Sequence, residues 1–547
     1  MNHDDTHQQV VRSAGVISMA VMTSRITGLV REVVLARLFG ASMVYDAFLL
    51  GFRVPNLTRD LFAEGALSSA FIPTFTEYLT KRGPEEAREL ANLVSTAIII
   101  VVGSVCLLGV IFSPQLVHLL APGFADVPGK FELAVTLTRI MFPFLLLVAL
   151  SAEAMGILNA YNQFAVPALA TTWFNIGSLL LGLAAGYWLG PRAGLQPIDG
   201  MAVGVVLGGA LQLLSQAPSL RRRGFRFRLR INWSDPGLQR VIRLMAPAVL
   251  GAAAVQVNVM VNTNFASRLE DTLRGPDGPV SWLSYAFRFM QLPLGLFGVA
   301  IASATLPSIS RSAAGGRIEE FRGTLSRSLG MVFLLTVPSS VGLIVLGRSM
   351  IAAVFQGGKF EVYDTHQTAA ALSYYAIGLT GYSALKVLTP AFYALGDSRT
   401  PMMISLASIG VNLAVVITVI EHTSLNHAGL AMSTSVVATF GAVILFGILR
   451  NRIEGIYGRS LLASIVRVTF ASAVMGVVVG LLSRWLGEVL GDSRFANLAE
   501  LSVCIPVGAA IYYGLCRLTG VPELELAAQS LAGPLARWLP SRRDKIR

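Results

Sequence analysis

The sequence predicts an all-α polytopic membrane protein with about 14 transmembrane helices. Of its 547 residues, 54% are hydrophobic and only 14% are charged. Soluble domains carry about 25% charged residues, so this chain has too little polar surface to cover several of them. Apolar runs such as 90–120 and 462–482 also exceed the roughly 18 residues that mark a membrane span.

Spans 1 to 14 are predicted from apolar stretches of about 20 residues. The first two carry several charges, so a hydropathy window alone misses them. The arginines of the first stretch also distinguish it from a signal peptide, and we expect a retained helix. The spans are residues 14–39, 44–78, 90–118, 132–157, 166–189, 200–218, 239–265, 281–304, 325–347, 367–394, 401–420, 427–449, 461–484 and 499–518.

The basic residues indicate how the chain is oriented. The formal net charge is +12, and lysines and arginines collect in loops after even-numbered spans, most densely in 221–230. The positive-inside rule therefore predicts that both termini are cytoplasmic. No basic stretch belongs to a soluble recognition fold, so nucleic acid is not an expected partner.

Two short matches recur at an offset of 234 residues. Segment 69–74 resembles 303–308, and the ends of 160–167 match those of 394–401. This predicts two related halves, and transporters commonly place their substrate path between such repeats. The predicted organisation is an N-terminal lobe of spans 1–6 (14–220), a cytoplasmic basic loop (221–238), a C-terminal lobe of spans 7–12 (239–452), spans 13–14 (453–520) and a cytoplasmic tail (521–547).

Several ionisable residues lie inside the predicted spans. A charge at the centre of a membrane helix costs at least about 2.5–3.5 kcal/mol, so such residues face a bundle interior or a wet cavity. Arg288, shifted by the repeat offset, falls next to Arg53. The charges are Arg25, Arg31 and Glu32 in span 1, Asp46, Arg53, Arg59, Asp60 and Glu64 in span 2, Arg139 and Glu153 in span 4, Arg288 in span 8 and Lys386 in span 10.

The predominance of arginine among these charges points to an anionic ligand. A guanidinium offers a planar fork of donors that matches phosphate oxygens bidentately and stays charged when partly dehydrated. Arginines of spans 1, 2 and 8 would suit the diphosphate of a lipid-linked substrate. Two alternatives stay open: Arg31, Glu32, Arg59 and Glu64 could form mutual ion pairs, and Arg53 could extend to the membrane surface.

Motifs for catalysis or metal binding are absent from the sequence. It contains no His-Glu-x-x-His pair, no Walker loop and no Gly-x-Ser-x-Gly elbow. The three cysteines, Cys106, Cys504 and Cys516, lack the spacing of ligands. We therefore expect no metal, no cofactor and no enzymatic activity, with the membrane potential or an ion gradient as the open driving force.

Several sequence blocks resemble the MurJ (MviN) family of lipid II flippases, within the multidrug/oligosaccharidyl-lipid/polysaccharide (MOP) exporter superfamily. The resemblance covers roughly residues 12–520, and its N-terminal blocks are the most specific. The blocks are 24–32, 46–48, 55–57, 62–68, 70–73, 121–125, 157–160, 281–282 with Tyr285 and Arg288, 358–360, and 386–388 with Pro390 and 392–393.

This resemblance implies two six-helix lobes plus two C-terminal helices around a central cavity, with a groove for the lipid tail at spans 13 and 14. It implies alternating access that moves undecaprenyl-diphosphate-linked peptidoglycan precursor from the cytoplasmic to the periplasmic leaflet of the bacterial inner membrane. Where some members carry acids beside the span-8 arginine, this chain has Phe287 and Gln291. The predicted substrate-binding residues are Arg25, Arg31, Arg59 and Arg288, and the predicted cavity or gating charges are Glu32, Asp46, Arg53, Glu64 and Lys386.

Other functions remain open on the sequence alone. The chain could move another polyprenyl-diphosphate glycan, or export drugs like other members of the superfamily. A membrane enzyme acting on a polyprenyl diphosphate is a third hypothesis, and a scaffold of the division machinery is a fourth. The expected partners are lipid II, membrane lipids and the cell-division or elongation machinery.

Overall fold

The structure, a computed structural model, describes residues 3–61, 67–455 and 458–525. Side chains are not described for 3–18, 57–61, 67–69, 193, 246–252 and 458–460. Helices dominate the described residues, and the β-bridges among them are the isolated pairs Asp271–Gly275 and Gly357–Phe360. The predicted all-α fold class is confirmed.

Helices occupy every predicted span position, although several spans are broken. The described parts of span 2 are the helices Met43–Leu61 and Leu67–Lys81. Spans 5 and 8 each contain a π-helical turn, an irregularity that is frequent at functional sites. In the first seven spans the helices are His3–Phe39, Met43–Leu61, Leu67–Lys81, Pro84–Ile111, Ser113–Leu120, Lys130–Met141, Phe144–Ala160, Ala165–Leu183, Ala184–Leu189 (π), Gly190–Ala193, Pro197–Leu214, Ala217–Arg222 and Pro236–Ala266.

The second half of the chain is more regular. Spans 9 to 14 are each a single helix, and span 8 consists of two α-helical segments joined by its π turn. The helices are Pro279–Pro293, Leu294–Val299 (π), Ala300–Ala314, Ile318–Phe355, Val362–Ala394, Arg399–His422, Asn426–Arg452, Gly458–Leu490 and Arg494–Leu518.

Ten helices of the described chain are long and apolar enough to cross a membrane. They correspond to predicted spans 3–6, 8, 9 and 11–14. The described parts of spans 1, 2, 7 and 10 also form helices, although they are not among these ten. The chain is a multi-pass membrane protein, and a count of 14 is consistent with its helices.

The chain divides into two compact units, Met1–Ser281 and Trp282–Arg547. One core of the first unit gathers around Phe71, Phe75 and Leu90. A core of the second unit gathers around Phe321 and Phe392. The lobe boundaries predicted from the sequence stay a prediction.

Spans 5 and 6 of the first unit approach each other backbone to backbone. A Cβ added to Gly200 would lie 2.1 Å from the nitrogen of Gly186, and one added to Gly204 would lie 2.4 Å from the Cα of Gly182. Small residues permit such close packing between membrane helices. These glycines therefore serve packing between the two spans.

Candidate functional site

Asp46 and Lys130 form a fully buried ion pair in the first unit. Lys130 Nζ lies 3.1 Å from Asp46 Oδ2, and both side chains have no exposed surface. The same ammonium donates to Asp277 Oδ1 at 3.0 Å and to the carbonyl of Pro276 at 2.8 Å. It also lies 4.6 Å from the centre of the Phe124 ring. All three ammonium protons thus have acceptors.

The other contacts of Asp46 hold the start of span 8. The backbone N–H groups of Gly278 and Ser281 donate to Oδ2 and Oδ1, both at 3.0 Å, and the Ser281 hydroxyl donates to Oδ1. Gly278 immediately precedes the helix Pro279–Pro293, and Ser281 lies in its first turn, where backbone donors lack partners within the helix. Asp46 therefore caps this helix from a distant part of the sequence, and a negative charge there is favourable.

Arg31 is paired with its own neighbour in span 1. Its Nη2 donates to Glu32 Oε1 at 3.0 Å, and the two side chains are 11% and 5% exposed. Because both belong to one helix, this pair does not tie two helices together. The guanidinium also lies over the Phe174 ring of span 5, 5.2 Å from its centre. Among the described residues, its buried Nε has no hydrogen-bond partner.

Asn175 of span 5 holds the region of span 1 just before Arg31. Its amide Nδ2 donates to the carbonyl of Ser24 at 3.0 Å and lies 3.4 Å from the hydroxyl of Thr27. A Cβ added to Gly28 would lie 3.3 Å from the same nitrogen. The glycine therefore lets the asparagine reach the helix.

Arg53 of span 2 contacts span 7. Its Nη1 donates to the hydroxyl of Thr263, which is itself buried. The guanidinium is thus held against the last turn of span 7.

The remaining predicted charges are placed differently. Arg25 in the first unit and Arg288 and Lys386 in the second are exposed on their helices. The side chain of Arg59 and the whole of Glu64 lie outside the described residues. A convergence of Arg31, Arg59 and Arg288 on one ligand accordingly stays a prediction.

Three glutamates within the spans or beside them are buried against serine hydroxyls. The hydroxyl of Ser95 in span 3 lies 2.9 and 2.8 Å from the two carboxyl oxygens of Glu153 in span 4. In the second unit, Glu500 accepts from Ser349 at 2.8 Å and from Ser483, and Glu523 accepts from Ser464. No described group of three or more His, Cys, Asp or Glu residues could hold a metal ion.

Sequence reasoning missed several residues that build these sites. Lys130 precedes the predicted start of span 4, Asp277 lies in the loop before span 8, and Ser281 is the first residue of that predicted span. The glycines at 129 and 278, both with positive φ, mark the turns that bring Lys130 and Ser281 to Asp46. Their long separation in sequence left no local signal for the pairing.

The helical bundle resembles the fold of a class of solved membrane transporters. It matches the inward-facing conformation of a multidrug resistance MATE family transporter of the MOP superfamily, with a TM-score of 0.65 over 79% of this chain and 94% of that chain. The sequence identity is 16%, so this likeness shows the fold alone.

The family is given by closer relatives. The family model described as lipid II flippase MurJ matches residues 35–499. The lipid II flippase MurJ of Burkholderia cenocepacia is 34% identical over 92% of this chain and 96% of its own length. A probable lipid II flippase MurJ of Vibrio cholerae is 34% identical over 95% of this chain and 98% of its own. The chain belongs to the MurJ family.

A solved structure supports the same assignment. A lipid II flippase MurJ in an inward closed conformation matches with a TM-score of 0.74 and 26% identity, over 92% of this chain and 98% of that chain. The resemblance drawn from short sequence blocks is thereby confirmed across nearly the whole fold.

Proposed function

We propose that this protein moves lipid II across the bacterial cytoplasmic membrane, from the cytoplasmic to the periplasmic leaflet, by alternating access. The main support for this proposal is the family match over residues 35–499. Relatives of nearly equal length that are named lipid II flippases give further support. The protein has both termini in the cytoplasm and acts in cell-wall synthesis as a transporter without chemical turnover.

Arg31 is the described residue best suited to bind the diphosphate. Its side chain is only 11% exposed, stacks on an aromatic ring and is oriented by Glu32. A guanidinium fixed in this way still has N–H groups that can donate to phosphate oxygens. Because its side chain is already ordered, it loses little further conformational entropy when the ligand binds. Arg25, Arg59 and Arg288 complete the proposed binding set on spans 1, 2 and 8.

The experiment is depletion of the protein in its host, followed by complementation and measurement of lipid II at the outer leaflet. Depletion is expected to leave lipid II on the cytoplasmic side, and Arg31→Ala is expected not to restore export. Arg192→Ala is the matched control, because Arg192 also lies over an aromatic ring, 5.6 Å from that of Trp188, at the end of span 5. Normal export after depletion, in a host without a second flippase, would overturn the proposal.

Replacing Arg288 by lysine separates a bidentate contact from a simple charge requirement. Lysine is a point charge and cannot reproduce the planar fork, so impaired export is expected. Full export by this variant would remove Arg288 from the proposed diphosphate contacts. If the wild-type chain exported drugs, and its depletion left lipid II export unchanged, the drug-exporter hypothesis would be favoured instead.

A further inference from the structure

The segment 221–233, between spans 6 and 7, alternates in chemistry with a period of two. Its even positions from 226 to 230 are arginines, and its odd positions from 225 to 233 are all apolar. In an extended chain successive side chains point to opposite sides, so this pattern makes one basic and one apolar side. Arg221, Arg222 and Arg223 precede the alternating part and add three more positive charges.

The backbone of this segment is held in an extended course along span 3. The N–H of Arg228 donates to Asn92 Oδ1 at 2.8 Å, and the N–H of Arg230 donates to Thr96 Oγ1 at 3.1 Å. Four helical residues rise about 6 Å, and two extended residues span about 6.5 Å. The match between these lengths means that the segment runs parallel to the helix in an extended form. Asn92 and Thr96 are themselves buried, which makes the attachment firm.

The attachment lies where span 3 enters the membrane. The helix begins at Pro84 with a charged turn, Glu85, Glu86, Arg88 and Glu89, and becomes apolar from Leu90 onward. Asn92 is thus at the boundary between the polar and the apolar part of the span. A tethered segment at this level lies at the membrane interface, which is also where tryptophans such as Trp233 are enriched.

From Phe227 onward the apolar side of the segment is largely exposed, whereas Phe225 packs against the core around Phe71 and Phe75. Phe227, Leu229 and Ile231 are 51%, 66% and 63% exposed, and Trp233 is 44% exposed. Within the described residues, the guanidinium groups of Arg226 and Arg228 form no ion pair, and that of Arg230 lies 3.9 Å from Glu89 Oε1. The basic side therefore has positive charge that the protein itself does not neutralise.

We propose that residues 221–233 form a binding surface for the anionic phospholipid headgroups of the surrounding bilayer. The apolar side chains enter the acyl region, and the arginines contact headgroup phosphates. An interfacial amphipathic helix binds a membrane in the same way, but its apolar residues recur about every 3.6 residues and not every two. Clusters of four to eight basic residues beside a membrane span attract anionic lipids, and this segment holds six arginines. The surface is separate from the proposed substrate site and does not depend on the proposed function.

The first test uses the wild-type chain in nanodiscs of phosphatidylcholine alone and of phosphatidylcholine mixed with phosphatidylglycerol. Hydrogen exchange is measured for the peptide that covers 225–233. Greater protection in the anionic nanodiscs is the expected result, because bound headgroups shield the amides of 227, 229 and 231. Equal exchange in both nanodiscs would overturn the proposal.

The second test measures binding of phosphatidylglycerol to the detergent-solubilised chain by native mass spectrometry. The triple variant Arg226→Gln, Arg228→Gln, Arg230→Gln is expected to weaken binding by about tenfold or more, and the corresponding triple lysine variant to bind within about twofold of wild type. The control replaces Arg311, Arg317 and Arg327, three exposed arginines of the second unit, by glutamine, with equal loss of charge. It is expected to bind like wild type.

Three outcomes of this measurement would contradict the proposal. They are unchanged binding by the first glutamine variant, an equal loss in the control, and equal binding of phosphatidylcholine by the wild type. A further arm adds inorganic phosphate at the same phosphate concentration. Displacement of the lipid by inorganic phosphate would assign the surface to free phosphate instead of lipid headgroups.

Discussion

Asp46 and Glu153 are both buried carboxyl groups of the first unit, yet their surroundings differ in kind. Asp46 accepts from a lysine, two backbone amides and a hydroxyl, so every acceptor position of a carboxylate is used. Glu153 is 2% exposed, and among the described residues its hydrogen-bond partner is the single hydroxyl of Ser95. A hydroxyl has one proton, so it can donate to only one of the two oxygens that it contacts.

The different partners of Asp46 and Glu153 illustrate two ways in which a membrane protein accommodates a buried carboxyl group. An ionised carboxylate away from water is very costly unless it is paired and hydrogen-bonded, and otherwise the group neutralises. Asp46 meets the first condition and is expected to be ionised. Glu153 is expected to carry a proton, donating it to the Ser95 oxygen while accepting the hydroxyl proton on its other oxygen. Four predictions test this contrast, in order of decreasing effect.

Asp46→Asn should cause the largest loss of stability. The substitution removes the charge that faces Lys130 and weakens the cap of span 8, and breaking a buried ion pair costs about 3–5 kcal/mol. The measurement is the free energy of unfolding in detergent. Asp277→Asn is the matched control, because its carboxylate contacts the same ammonium but is 32% exposed. Equal losses in the two variants would show that burial of the pair is not what stabilises it.

Ser95→Ala should cause an intermediate loss. It leaves both oxygens of a buried carboxyl group without their hydroxyl partner, which costs about 1–3 kcal/mol. Ser104→Ala on the same span serves as the control, since the Ser104 hydroxyl is exposed and bonds only to the carbonyl of Ile100. Thermal unfolding of both variants in one detergent gives the comparison, and equal unfolding temperatures would contradict the expectation.

Glu153→Gln should have a small effect, below about 1 kcal/mol. Glutamine keeps one donor and one acceptor at the place of a protonated acid, so the contact with Ser95 survives. This is the same carboxyl-to-amide change as Asp46→Asn, applied to a carboxyl that we expect to be neutral. If its free energy of unfolding fell as far as that of the Asp46 variant, Glu153 would have to be ionised.

Asp397, in the loop after span 10, extends the contrast to a carboxylate outside the spans. The backbone N–H and the hydroxyl of Thr400, followed by Arg452, lower its pKa to about 2. A carboxyl group whose pKa is lowered in the folded state stabilises the protein at pH values above its usual, unfolded-state pKa. This stabilisation is lost as the pH falls toward the folded-state pKa of about 2. The difference in unfolding temperature between wild type and Asp397→Asn should therefore shrink between about pH 5 and pH 2.5. A difference that stays constant over that range would contradict this.

The sequence predicted the helices better than their partners. Length and hydropathy identify spans 3 to 6, whereas spans 1 and 2 could be predicted only by allowing charges inside a membrane helix. Asp46 was recognised as an unusual intramembrane charge and taken as a cavity or gating residue. Its partner Lys130 was not recognised, because 84 residues separate the two and nothing local connects them.

The predicted substrate arginines show the same limit. Their residue type and spans follow from the sequence, because a guanidinium suits a diphosphate wherever it lies. The ion pair of Arg31 with Glu32, its contact with Phe174 and the contact of Arg53 with Thr263 required the fold. Side-chain direction along a helix is fixed locally, but which helix lies opposite depends on how the spans pack.

The sequence by itself determined the class of protein, the helical spans, the unusual charges and the family. The class, the spans and the notice given to the charges follow from the cost of placing charges and unpaired backbone groups in lipid, which acts on each stretch of chain separately. The family was inferred from the resemblance of short sequence blocks. Only the tertiary structure decided which buried acid is matched by a cation and which by a hydroxyl. It also attached the basic segment to span 3. Both depend on donors that packing brings together from distant parts of the chain.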